Sequence, residues 1–287
     1  MKRTIHIATL SVLPYLFLSC ATSLAGNPVT KVTYACDNGV TIEASYYADR
    51  RVTLNLSDGR SYSLAQVISA DGARYANTDE SFVFWSKGQG ATLIEKSAAG
   101  GQQTRIGCIL VKPDPGGCPN IFADSSRGFS LRYPDGWKID QSYVYTELGP
   151  GKEIKGVSFS IPEKLCTGTN LAPDTRLSIE MIPFPPAWGA EIFLPESDTD
   201  PTPVTQDGVT YSRASYSDAG AGNRYDEVVY AIPGSEPFTA VRYFIHSGAI
   251  ENYSPGTVRQ FDKAALRAVF DAMRRTLTID QMNVPRQ

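Results

Sequence analysis

The sequence predicts two regions: an N-terminal all-β one, a small eight-stranded antiparallel barrel, and a C-terminal α+β one, mostly antiparallel sheet with a terminal helix. Three observations predict this. From Val32 to Ile109 short segments of strand-forming residues recur between Gly-bearing turns. The stretch Lys112 to Asn120, KPDPGGCPN, then breaks all periodicity. Near the end, Phe261, Ala265, Leu266, Val269, Phe270 and Met273 recur at the three-four spacing of one helix face. A chain of 287 residues is long enough for two cores. At 42% hydrophobic and 20% charged it is an ordinary globular sequence, and 15 Tyr with 24 Gly and 19 Pro tilt it towards strands joined by turns.

Taken in order, the chain begins Met1, Lys2, Arg3, followed by an uncharged apolar run from Ile5 to Leu18 and the small polar segment SCATSLAG. This reads as an export signal. Two cleavage patterns compete. Ser23 and Ala25 fit the small-x-small rule and remove residues 1–25, whereas FLSC resembles a lipobox that would remove 1–19 and make Cys20 a lipidated first residue. No other run approaches the roughly 18 apolar residues of a membrane span. The barrel region is expected over 27–111, in segments such as GVTIEASYY, RVTLNLS and FVFWSKG, with a linker at 112–120. Beyond it, over 121–280, FSLRYPDGW, VSFSIP, RLSIEMI, VTYSRASYS, DEVVYAI and FTAVRYFIHS read as strands, and Val258 to Leu277 as a helix capped near Thr257. The proline-rich stretch Pro183 to Pro203 reads as an irregular surface excursion.

Setting Cys20 aside leaves Cys36, Cys108, Cys118 and Cys166, an even number that favours two disulfides in an exported chain. Three connectivities are open. The simplest, Cys36 with Cys108 and Cys118 with Cys166, gives each region its own staple. The formal net charge is −3, becoming −5 once Lys2 and Arg3 are removed, and no basic stripe is present, so nucleic-acid binding is disfavoured.

Beyond the signal the only histidine is His246, so a Ser-His-Asp or Cys-His arrangement has one candidate base, and it reads better as a satisfied sheet-edge residue. Asp79 with Glu80 and Asp226 with Glu227 are adjacent acids, which strands place on opposite faces; they read as solvated surface charge. GAGN at Gly220 to Asn223 is a hairpin turn and no phosphate cradle. No metal site, cofactor or enzymatic activity is nominated.

What remains is SADGARY, Ser69 to Tyr75, followed by WSKG, Trp85 to Gly88. Gly72 lets the chain reverse, Arg74 can stand on the surface and Tyr75 can pack. In FVFWSKG, alternation puts Val83, Trp85 and Lys87 on one face, and Gly88 lets the Lys87 ammonium project from a strand end.

With the early YAC at Tyr34 to Cys36, the DGRSYSL turn and strand at Asp58 to Leu64, and Cys108, these motifs resemble the MliC/PliC family of C-type lysozyme inhibitors, over about residues 32 to 108. The resemblance implies an eight-stranded barrel, a Cys36–Cys108 disulfide, and residence in the bacterial periplasm, soluble or as a lipoprotein on the outer membrane. It also implies a protein partner, C-type lysozyme, whose cleft receives the loops formed by Ser69, Asp71, Gly72, Ala73, Arg74, Tyr75, Trp85, Lys87 and Gly88. Two departures stand out. The family's usual SASGARY has serine where this chain has Asp71, an acid that would repel catalytic carboxylates. The spacer from Tyr75 to Trp85 is also longer than the family pattern, which would splay the loops. The second region more weakly resembles PsbP/Mog1-like domains, which implies a fold and no activity. The alternative reading is an envelope-associated binding or structural protein whose C-terminal domain takes an unknown ligand.

Overall fold

The computed structural model describes residues 27–97, 101–183, 189–195 and 200–280. The signal segment and Cys20 lie outside them. Strands β1 (Thr30–Cys36), β2 (Thr41–Tyr46), β3 (Arg51–Leu56), β4 (Ser61–Val67), β5 (Ala73–Ala76), β6 (Phe82–Lys87), β7 (Gly90–Lys96) and β8 (Gln103–Val111) pair antiparallel in sequence order, and β8 returns to β1 to close a barrel. The turns form where short polar side chains bond their own backbone: Asn38 Oδ1 accepts from Val40 N–H (3.2 Å) and Asp58 Oδ1 from Arg60 N–H (3.1 Å). Alternation sends Ile42, Val52, Leu54, Leu64, Phe84 and Leu93 inward, each at most 1% exposed. Burying each of these contributes about 1.5–3 kcal/mol before the entropy of ordering is counted. Cys36 and Cys108 face each other across the closing pair and form a disulfide.

After Val111 the chain makes no strand until β9 (Asn120–Asp124); the Asp114 carboxylate holds the turn by accepting from the Gly116 and Cys118 amides. There follow β10 (Phe129–Tyr133), β11 (Lys138–Asp140), β12 (Val144–Tyr145), β13 (Ile154–Ser160), β14 (Arg176–Ile182), β15 (Thr202–Gln206), β16 (Val209–Gly220), β17 (Asn223–Ile232), β18 (Phe238–Gly248), helix α1 (Lys263–Arg275) and β19 (Thr278–Ile279). The large sheet runs β11-β13-β14-β18-β17-β16-β15 with β12 beside β13, and a three-stranded sheet runs β19-β10-β9. All their strand pairs are antiparallel. On one face of the large sheet, Leu266, Phe270 and Met273 of α1 pack with Phe129, Phe159 and Tyr243. On the other, Ala190, Phe193 and Leu194 pack against Val229, Phe238 and Ala240.

Four expectations need correction. The helix starts at Lys263, capped by Asp262, whose side chain accepts from Ala265 N–H (2.9 Å). Its expected first turn is lost because Arg259 is engaged elsewhere, exchanging backbone bonds with Gly168 and Asn170. The proline-rich excursion is partly a lid, since Ala190 and Phe193 are fully buried, and its end forms β15, where Pro203 is tolerated because the strand lies at the sheet edge. Cys118 and Cys166 are separate thiols. Cys118 is buried in the second core, which pushes its thiol up to about 11, while Cys166 ends a 3-10 turn on a different element. Glu227, expected at the surface, is only 4% exposed: Arg242 bonds it on one side and Glu180 on the other, and Tyr145 O–H donates to it. Asp226, on the opposite face as expected, pairs with Lys263 (2.5 Å).

The barrel and the second region share a bonded seam. Ser125 N–H and Oγ both donate to the Asp37 carboxylate, Ser130 Oγ donates to the Leu110 carbonyl (2.7 Å), and Arg132 Nε to the Lys112 carbonyl (2.7 Å). Lys112 Nζ reaches the Arg275 carbonyl at the end of α1 (3.3 Å).

Candidate functional site

The two motif loops meet at one end of the barrel. β5 and β6 are antiparallel, with Ala73 opposite Ser86, Arg74 opposite Trp85 and Tyr75 opposite Phe84. The long spacer therefore sits at the far end of this hairpin, at residues 77–81, and leaves the motif end in register. The loops are not splayed. Lys87 Nζ lies 2.5 Å from Asp71 Oδ2, and Trp85 Nε1–H donates to the Asp71 carbonyl (2.8 Å). That same carbonyl accepts from Ser69 Oγ (2.6 Å), while Asp71 Oδ1 accepts from Gly72 N–H (2.7 Å).

Gly72 is required at this crossing. Its φ is +65°, and a Cβ there would stand 2.5 Å from the Ser86 carbonyl oxygen. Gly88, also at positive φ (58°), turns the chain from Lys87 into β7. The Lys87 ammonium lowers the Asp71 carboxyl below the usual aspartate range, assisted by the Gly72 amide. Both members of the pair are open to solvent, at 44% side-chain exposure for Lys87 and 59% for Asp71.

The other motif residues divide by exposure. Tyr75 is buried at 7%, edge-on to Tyr46, and burial raises its phenol. Arg74 is half-buried and grips Glu80 with both guanidinium nitrogens (3.1 and 2.8 Å). Ser69, Ala73 and Trp85 are half-buried; Asp71, Gly72, Lys87 and Gly88 are exposed. Sequence reasoning passed over Ile68, which is 98% exposed directly before the first motif. Alternation from the inward Leu64 would have turned it inward, but it lies beyond the end of β4 at Val67, where the strand pattern no longer holds.

His246 lies in β18, an interior strand between β14 and β17, so its sheet-edge assignment is corrected. Its Nδ1 is 2.8 Å from Asp174, Tyr225 stacks on its ring, and Nε2 is buried without a partner. Among the described residues no group of three or more His, Cys, Asp or Glu side chains could hold a metal ion, and no helix is long and apolar enough to cross a membrane.

Residues 34–101 match the family model of MliC, described as membrane-bound lysozyme-inhibitor of c-type lysozyme. The match runs from within β1 to beyond the end of β7 and contains both motif loops. No curated protein matches the chain.

Proposed function

We propose that this protein is an exported inhibitor of c-type lysozyme that inserts its SADGARY and WSKG loops into the enzyme's catalytic cleft, with Lys87 as the cationic plug. The observation that carries this reading is the meeting of the two loops around an exposed Lys87 inside the segment that matches the inhibitor family. Glycosidases of this kind hold a carboxylic acid and a carboxylate on either side of the scissile bond. An ammonium delivered between them makes charge-assisted hydrogen bonds in a partly water-excluded place.

Asp71 fits this reading by pre-pairing Lys87. The plug enters by exchanging one carboxylate for others, and because the original pair is solvated, little is lost in opening it. Gly72 and the Trp85–Asp71 bond hold the loop crossing before the partner arrives, which reduces the ordering cost of binding. The Cys36–Cys108 disulfide supports an oxidising compartment, the bacterial periplasm, with Cys20 the candidate anchor to the outer membrane. Tyr75 supports the loop from inside the barrel. On this reading the matched segment acts by binding and not by catalysis.

The test is the rate at which a c-type lysozyme clears cell walls in the presence of the purified protein. Wild type slows it and Lys87→Glu does so at least tenfold less well. Equal inhibition by the two would eliminate the plug.

A further inference from the structure

A cleft of about 1070 Å³ opens directly beside the motif loops. Asp71, Gly72, Lys87 and Gln89 line its barrel wall, and the opposite wall belongs to the second region: Asp207 in the β15–β16 turn, Val209 at the start of β16, and Leu277 to Asp280 after α1. The seam fixes the spacing of these walls. Besides the bonds from Ser125, Ser130 and Arg132, the barrel's Gly107 leaves no room for a Cβ, which would stand 1.9 Å from Ser125 Oγ. These contacts hold the second region next to Lys87.

We infer that the cleft is one two-walled recognition site in which the same c-type lysozyme that receives Lys87 is also gripped by the second region at the Asp207–Arg275 pair. This rests on the inhibitor reading above. A plug that enters a cleft must be flanked by the lips of that cleft, and on this side of Lys87 the space for a lip is the gap between the two walls. The volume lies just above the roughly 300–1,000 Å³ of small-molecule pockets, and the gap is open to solvent, as entry of a protein edge requires. The walls match that occupant in kind. Each carries a member of a solvated ion pair, Lys87 with Asp71 on one side and, on the other, Asp207, which is paired with Arg275 (2.9 Å) behind it, and the second wall adds the apolar Val209, Leu277 and Ile279. Exposed pairs give register and encounter rate, while apolar lining residues exclude water.

The experiment uses the full mature chain. Inhibition constants against a c-type lysozyme are measured for wild type, Lys87→Glu, Asp207→Arg and Arg275→Glu, with thermal melts to confirm folding, and hydrogen exchange is followed with and without the enzyme. Asp207→Arg and Arg275→Glu are each expected to weaken inhibition at least fivefold, and lysozyme to protect both 69–90 and 203–211 from exchange. If Lys87→Glu abolishes inhibition while both second-region variants stay within twofold of wild type, with protection confined to the barrel, the two-walled site is overturned and the inhibitor reading stands. If wild type does not inhibit, the inhibitor reading falls first and this inference with it; if wild type inhibits but Lys87→Glu is silent, the Lys87 plug falls and the two-walled site built around it falls too. A variant that melts early is replaced by the double variant Asp207→Arg/Arg275→Glu, which keeps a pair of reversed polarity; unchanged inhibition by it, with no protection at 203–211, likewise overturns the site.

Discussion

Asp71 controls how Lys87 is presented. A serine at this position would leave the ammonium free, whereas the carboxylate holds it 2.5 Å away and so fixes where it points. The Asp71 carboxyl is depressed below its unfolded value by Lys87. A depressed carboxyl contributes stability above its unfolded pKa and loses it as pH falls through the folded pKa, so in the free protein protonation breaks the pair in acid, below the ordinary aspartate range. Carboxyl-detected NMR titration should show Asp71 titrating low in wild type and moving up towards the ordinary range in Lys87→Ala. An unmoved midpoint would mean that the pair does not form in solution. Lys87 itself was legible in the sequence, because strand alternation and the following Gly88 determine its exposure. Its partner was not, since the contact depends on two loops 16 positions apart meeting at the same end of a hairpin, and spacer length alone gives no indication of which end takes the extra residues.

Among the elements, the barrel strands were the most legible, above all where a Gly turn adjoins a strand whose burial alternates, as in Arg51–Leu56 beside Gly59. The strands missed in the second region, β9, β11, β12, β15 and β19, are two to five residues long and too short to show a period. The helix was visible from its spacing, but its start was set by Asp262 and by the tertiary pairing of Arg259, which no local pattern encodes. The closing disulfide spans a sequence separation of 72 residues. On the chain-entropy argument, losing a loop of that length costs about 4 kcal/mol. Cys36→Ala/Cys108→Ala should therefore lower the unfolding free energy of the barrel by about that amount in urea titrations. A loss below about 1 kcal/mol would show that strand pairing alone holds the ends.

At the scale of the molecule, the second region is organised around charge buried in its sheet. Arg242 is fully buried and shared by Glu180 and Glu227, with Phe193 of the lid accepting a further bond, so the lid is tied to the sheet through one guanidinium. Removing one member of such a group strands the others, and Arg242→Met should destabilise by about 3–5 kcal/mol in denaturant melts. Burial raises the Glu227 carboxyl against the pull of Arg242. A raised carboxyl contributes stability below its unfolded pKa that is lost as pH rises through the folded one, so Glu227→Gln should flatten the loss of stability as pH rises above the ordinary glutamate range in denaturant melts. The seam then joins this region to the barrel, and the barrel carries a consequence of its own for assembly. Its first strand is completed by its last: β1 pairs with β8, and residues 30 and 111 bracket everything between. On a chain that emerges from its N-terminus, β1 can pair with β2 at once but must wait with its other edge bare until the eighth strand arrives. Barrel closure is thus a late, long-range event. Until then the open edge of β1 is a template for strands of other chains, and the oxidation that joins Cys36 to Cys108 marks the moment at which that exposure ends.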